Sequence, residues 1–240
     1  MNYKDIIDIL DQRAHLISMS SLEGILEIGY NLGFNEQTRI LDLCCGYGQM
    51  LKSWSEAYEV GGVGIDRDES FIRIGRERLV AAGVADKVEL ICGDIFDYGE
   101  SGFDVVCLTE NYLFGDMDAC FKKLEAYIKP GGVIVIGTLI YSKDASQELI
   151  DFDGANLTEG EIYEVARANS YIPVSIARGT QAEWDRYITW TSRRSLENIK
   201  GCADEDARRG ESEWMRKWFD MYANHRVPYE NWATIAFKKF

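Results

Sequence analysis

The sequence predicts an α/β fold: a doubly wound, mostly parallel sheet of seven strands with helices on both faces. Short apolar runs alternate with amphipathic stretches from Arg39 to Ile140, the pattern of right-handed βαβ crossovers around a sheet covered on both sides. The first run leads directly into a glycine-bearing turn, Gly46-Tyr47-Gly48, that opens a helix, as expected where a ligand sits beyond the carboxyl end of a strand. The composition, 46% hydrophobic and 28% charged over 240 residues, suits one buried core. A single domain over residues 1–240 is expected, with a helical N-terminal cap at 1–35 and helical lid or substrate-side embellishments at 141–225.

Taken in order, helical spacing of apolar residues marks Asp5–Arg13 and Leu22–Leu32, the second stopped by Gly33. Arg39–Cys45 reads as a buried strand and Gly48–Tyr58 as a helix. Val60–Asp66 is a second strand, followed by a helix over Glu69–Ala82 with Gly83 at its C-terminal cap. Val88–Asp94 and Phe103–Thr109 are strands, Asp118–Ile128 a helix, and Gly131–Ile140 a strand announced by Pro130. Ser142–Leu157 is polar and predicts a loop or lid. Thr158 and Glu161 form a capping box for a helix over Thr158–Ser170. A strand at Pro173–Arg178, long helices at Gln181–Ile199 and Asp204–Tyr222, and a strand at Asn231–Phe240 complete the chain.

The balance of 40 acidic against 26 basic residues gives a formal net charge of −14. Such a field repels polyanions and disfavours nucleic acid as a partner, while suiting a cationic or zwitterionic small molecule. Six cysteines, Cys44, Cys45, Cys92, Cys107, Cys120 and Cys202, show no paired C-x-x-C spacing and read as reduced core thiols without a metal. The N-terminus has neither the charge nor the apolar run of a signal peptide, and no stretch approaches membrane-spanning length. A cytoplasmic protein, monomeric or homodimeric and free of the membrane, is expected.

The chemistry is concentrated in Ile40–Leu51, where a buried strand ends at Asp42–Cys44 and Gly46 and Gly48 let the backbone turn tightly. A dinucleotide fingerprint needs a third glycine three positions after Gly48; Leu51 stands there, which weakens a nicotinamide or flavin reading. Asp66 ends the second strand about 20 residues beyond Gly46, the spacing at which a carboxylate accepts from ribose hydroxyls. Asp94 ends the third strand, placed to accept from an adenine amine, with Ile95 and Phe96 as apolar faces for the ring.

These residues carry a family resemblance. D-x-C-x-G-x-G at Asp42–Gly48, G-I-D at Gly64–Asp66, G-D at Gly93–Asp94 and I-K-P-G-G at Ile128–Gly132 resemble motifs I, post-I, II and III of the class I S-adenosylmethionine (SAM)-dependent methyltransferases. The resemblance covers Arg39–Ile140 in order and spacing. It implies a Rossmann-like fold with an antiparallel final strand, SAM as cofactor and S-adenosylhomocysteine as product. It further implies that Asp42 and Gly46 lie against the methionine part, that Asp66 binds the ribose hydroxyls and that Asp94 binds the adenine; Cys44, Gly48, Arg67, Ile95, Phe96 and Thr109 complete the expected cofactor-binding set. The family often has glycine where this chain has Cys44. The tail from Trp184 to Glu197 is similar to a small group of bacterial methyltransferase-like proteins, and this bears on architecture only.

Methyl transfer from a sulfonium is an in-line displacement whose thioether leaving group needs no acid, so alignment supplies much of the rate. An acceptor must still lose a proton, to a side chain or to solvent. Glu110 and Asn111 follow the fourth strand at the cleft mouth, Tyr141 leaves the fifth strand on the same side, and His15 lies in the N-terminal segment that folds over the cofactor in many such enzymes. Each is a candidate catalytic group and, equally, an ordinary loop, cap or packed residue. Trp184, Tyr187 and Trp190 are candidates for a pocket wall; Trp214, Trp218 and Tyr222 share a helical face and read as packing. Arg193 and Arg194 are placed to hold a substrate carboxylate or to pair on the surface. The leading expectation is a small-molecule methyltransferase. The alternatives are an RNA or protein methyltransferase, a non-catalytic SAM-binding protein and, least supported, an NAD(P)-dependent reductase.

Overall fold

The computed structural model describes residues 3–109, 111–154 and 156–240. Among these residues, helices α1 (Tyr3–Ala14) and α2 (Leu22–Leu32) precede the sheet. Strands β1 (Arg39–Leu43), β2 (Gly61–Asp66) and β3 (Val88–Cys92) alternate with α3 (Gln49–Tyr58) and α4 (Glu69–Ala82). Then come β4 (Phe103–Leu108), α5 (Met117–Glu125), β5 (Ile128–Tyr141), α6 (Gln147–Asp153), α7 (Glu159–Ala168) and β6 (Tyr171–Arg178). Two long helices, α8 (Gln181–Gly201) and α9 (Glu205–Met221), lead to β7 (Glu230–Lys239).

The seven strands form one sheet in the order β3-β2-β1-β4-β5-β7-β6. The pairs from β3 to β5 are all parallel, and β7 runs antiparallel to both its neighbours. The final strand is therefore antiparallel, as the resemblance implies, and it inserts between β5 and β6, leaving β6 at the edge. Reversal of order on either side of β1 creates the switch point at which a crevice opens beyond the strand ends.

Both faces of the sheet are buried. Leu41, Leu43, Val106, Leu108, Ile134 and Ile136 pack with Phe121, Leu124 and Ile162 of α5 and α7. The alternate residues Ile40, Val105, Cys107, Val133 and Val135 pack with Ile25, Leu51, Trp54 and Ile72 of α2, α3 and α4. This is period-2 alternation with no polar face, the mark of a strand covered on both sides. Buried polar ends find partners: the Trp54 indole N–H donates to the Ile25 carbonyl at 2.7 Å and the Tyr58 hydroxyl to the Leu26 carbonyl at 2.6 Å.

The structure departs from the sequence expectations at four elements. The expected loop at 142–157 contains α6, whose N-cap Ser146 accepts from the Leu149 N–H and whose Leu149, Ile150 and Phe152 pack against Tyr141, Met221 and Tyr229. Seven residues are too few to display a helical period. The helix expected to reach Ile128 ends at Glu125, because Ile128 already pairs with Phe103. Pro130 and its glycines form an irregularity inside β5, where the register shifts between Phe103 and Val105, rather than a lead-in to it. After α9 the chain continues through a π-helical turn, Tyr222–Arg226, around buried Arg226. No helix among the described residues is long and apolar enough to cross a membrane.

Candidate functional site

The site begins at the end of β1. Cys44, Gly46 and Gly48 all have positive φ, at 60°, 56° and 68°, a left-handed conformation that glycine adopts freely and other residues adopt at a cost. Cys44 thus holds a conformation that a glycine would adopt without strain. A Cβ on Gly48 would meet the Leu90 side chain at 2.7 Å, so the turn is packed down onto the sheet.

Asp66, at the end of β2, ties this turn to the neighbouring strand. One carboxylate oxygen accepts the Gly46 N–H at 2.8 Å and the other accepts the Asp68 N–H at 2.9 Å. Each oxygen keeps a further lone pair, so the same carboxylate that shapes the turn remains able to accept from a ligand hydroxyl.

Asp42 is the most perturbed acid of the crevice. It is 2% exposed, and burial, reinforced by the neighbouring Asp66 charge, pushes its carboxyl up to about 8. It lines a cavity of about 20 Å³ with Ser18, Cys44, Gly46 and Thr109, room for one small polar or charged group. A neutral acid there becomes a carboxylate when a cation arrives, since an opposite charge favours ionisation. The ammonium end of an amino acid meets that requirement.

The N-terminal segment between α1 and α2 roofs this cavity. A Cβ on Gly46 would meet Ile17 Cδ1 at 2.9 Å. Arg186 of α8 clamps the segment, donating to the carbonyls of Leu16, Ser18 and Ser20 at 2.6, 2.5 and 3.2 Å and to Glu183 Oε2 at 2.6 Å. Ser20 Oγ lies 2.7 Å from Thr234 Oγ1 and accepts the Trp232 indole N–H at 2.9 Å. Trp232 itself packs beside Thr109, because a Cβ on Gly137 would meet both side chains. Sequence reasoning did not find Ile17, Ser18 or Arg186. Their neighbours lie far along the chain, 170 residues for Arg186 and Leu16, and no local pattern signals them.

The sequence-selected residues divide into groups. Asp42, Cys44, Gly46 and Thr109 line one cavity, with Gly48 and Asp66 immediately beside it. Asp94 is exposed and its Oδ1 accepts the Phe96 N–H at 2.9 Å, which leaves its other oxygen outward. Phe96 is 54% exposed and meets Phe114 edge-on at 5.6 Å. Ile95 departs from the expectation of an adenine-facing side chain: it is buried in the sheet core. Arg67 is exposed, and its carbonyl accepts from Cys92 Sγ at 3.8 Å.

Among the candidates for acid–base work, Glu110 lies outside the described residues. Asn111 opens a 3-10 turn, Asn111–Phe114, after β4. Tyr141 is buried, and its hydroxyl donates toward the carbonyls of Gly154 at 2.9 Å and Leu149 at 3.3 Å. Burial pushes that phenol up to about 12. Its geometry fastens β5 to α6 instead of opening onto the crevice. His15 lines the small cavity and also a groove of about 750 Å³ between α1, α4 and α8. Its Nδ1 lies 2.7 Å from the Asp11 carbonyl oxygen. A carbonyl only accepts, so the neutral imidazole carries its proton on Nδ1 and leaves Nε2 as an acceptor.

Comparison with known proteins agrees with this geometry. The family described as "Methyltransferase domain" matches residues 40–132. The structure of a SAM-dependent methyltransferase from Thiobacillus denitrificans in complex with S-adenosyl-L-homocysteine is similar over 100% of both chains, with 25% identity and a TM-score of 0.83. The uncharacterized protein YjhP of Escherichia coli is 27% identical over 208 residues, 82% of this chain and 84% of that protein. A demethylmenaquinone methyltransferase of Staphylococcus aureus is 29% identical over 114 residues, 44% of each chain. The strand-end carboxylates, the glycine turn and the ammonium-sized cavity fit a SAM molecule, and the matching family model and the S-adenosylhomocysteine-bound neighbour support a class I SAM-dependent methyltransferase with SAM as its cofactor.

Proposed function

We propose that this chain transfers the SAM methyl group to a small-molecule acceptor. The observation that carries the reading is the convergence of Asp42, the Gly46–Gly48 turn and Asp66 at the tips of adjacent parallel strands, under a roof held by Arg186. The roof leaves a narrow cavity at the methionine end, which suits a compact acceptor better than a macromolecular one. The net charge of −14 argues against RNA, whose binding needs phosphate neutralisation. The Staphylococcus aureus relative supports the small-molecule class without naming the acceptor here.

In this proposal Asp42 and the backbone of the glycine turn hold the amino acid end, Asp66 and Arg67 the ribose, and Asp94 and Phe96 the adenine. SAM supplies an electrophilic methyl on a sulfonium. The protein aligns the acceptor and excludes water, with Thr109 lining the crevice and Glu110 and Asn111 as candidate acceptor-side groups. His15 Nε2 is the proton acceptor where the acceptor atom must lose a proton. The cap at 1–35 and the helices at 141–225 act as lid and acceptor wall. Six free cysteines suit a cytoplasmic setting, as monomer or homodimer.

The test is incubation with methyl-labelled SAM and fractionated cell extract, with mass spectrometric detection of S-adenosylhomocysteine and labelled product. Label in the small-molecule fraction is expected, lost in His15→Gln while S-adenosylhomocysteine still binds. Label only in RNA or protein would overturn the proposal.

A further inference from the structure

The groove between α1, α4 and α8 is lined by none of Asp42, Asp66 and Asp94. Its volume of about 750 Å³ falls in the range of small-molecule sites. One stripe of α8 faces it, with Arg186, Trp190, Arg193 and Glu197 at helical spacing. Four arginines, Arg13, Arg186, Arg193 and Arg194, line it against two acids, Asp185 and Glu197. With the partner acids Glu183 and Asp68 behind the wall the charges balance, so the groove lacks the negative excess of a chain of net charge −14.

Three of these cations already have partners. Arg13 and Arg186 share Glu183, at 2.8 and 2.6 Å. Arg194 pairs with Asp68 at 3.0 Å and lies over the Phe71 and Trp190 rings at 4.5 and 5.5 Å. Arg193 is exposed and has no ion pair among the described residues. Of the two acids, Asp185 accepts from Gln181 and Tyr222, and Glu197 stands one helical turn from Arg193 without pairing to it.

The floor is aromatic and leads inward. Trp190 lies 6.4 Å from Phe71, Phe71 lies 4.6 Å from Tyr47 of the glycine turn, and Tyr47 meets His15 edge-on at 4.9 Å. His15 is the wall common to this groove and the cavity at Asp42. Leu10 of α1 adds an apolar flank, on a helix none of whose described residues is buried.

We propose that this groove binds the methyl acceptor and that the acceptor is an amphipathic anion. Its single carboxylate or phosphate head sits on Arg193, and its apolar or aromatic body lies along Trp190, Phe71 and Tyr47 toward His15. The inference rests on the donor site at the strand tips. A charge-assisted contact to a guanidinium fixes the head, and stacking on the ring faces fixes the body.

The test uses the full chain saturated with S-adenosylhomocysteine. Octanoate and 2-naphthoate are titrated calorimetrically, each beside its primary amide and its amine as neutral and cationic counterparts. The acids are expected to bind at least ~10-fold more tightly than the amides. Arg193→Glu removes that preference and Arg193→Gln reduces it, while both leave S-adenosylhomocysteine affinity unchanged. Amides or amines binding as well as the acids would overturn the inference, as would an intact preference in Arg193→Glu or no acid binding by about 10 mM. Failure of S-adenosylhomocysteine to bind the wild type would instead overturn the donor site.

Discussion

The two halves of this molecule are built on different principles. The donor half, from β1 to β4, positions its groups on strand tips backed by two buried cores. The other half, proposed above to face the acceptor, is assembled from α1, α6, α8 and α9, and ionic tethers hold much of it in place: Arg13–Glu183, Arg78–Asp11, Arg194–Asp68 and the buried set around Arg226. Backbone hydrogen bonds between paired strands set the position of the first half. Side chains set that of the second. A common fold can thus keep one donor while the acceptor varies.

The sharpest way to break that contrast is to remove the tether that matters most. Arg226 is 2% exposed, donates to Glu230 at 2.6 Å and Asp153 at 2.7 Å, and packs over Trp218 at 4.3 Å. Arg226→Ala leaves buried Glu230 and half-buried Asp153 without their shared partner and should cost about 3–5 kcal/mol in urea unfolding. If the halves are as distinct as described, the folded variant still binds S-adenosylhomocysteine normally.

In the donor half, Asp66→Ala removes the proposed ribose contact and also frees the Gly46 N–H. Calorimetry should show S-adenosylhomocysteine affinity falling by about 100-fold. Unfolding stability changes less than in Arg226→Ala.

A third experiment compares pH responses. The Asp42 carboxyl is raised from 3.8 to about 8 by burial and by Asp66. The folded state therefore holds this proton over a window in which the unfolded chain has released it. Stability from this group is full below about pH 4 and is lost as pH rises toward 8, by at most ~1.4 kcal/mol per pH unit. Asp42→Asn should flatten that slope relative to wild type. Glu230, also raised to about 8, has the same sign and remains in both proteins, so the difference isolates Asp42.

The smallest effect is expected at Cys44. Cys44→Gly relieves a left-handed conformation at φ 60° but adds freedom to the unfolded chain, so stability should change by less than ~1 kcal/mol. Gly46→Ala, whose Cβ would press on Ile17, should weaken S-adenosylhomocysteine binding.

The same division governs how much was legible in the sequence. The sheet, its order of elements and the strand-tip residues Asp42, Asp66 and Asp94 follow from local periodicity and from spacings of about 20 residues. The acceptor side does not follow in that way. The clamp of Arg186 on Leu16 and the bond between Ser20 and Trp232 join residues 170 and 212 apart, and α6 is too short to show a period. Trp190 and Arg193 were visible as candidates, but their place beside His15 depends on how α8 crosses α1 and α4. Ile95 shows the opposite failure: its position in the motif suggested a ligand, and packing of the sheet took its side chain inward.

The central claim is that carboxylates at neighbouring strand tips grip one nucleoside while a buried acid meets its amino acid tail. A crystal structure with S-adenosylhomocysteine tests this most directly. Ribose hydroxyls are expected on Asp66, the adenine by Asp94 and Phe96, and the ammonium by Asp42. A nucleoside stacked instead on Trp190 and Phe71 in the outer groove would contradict it.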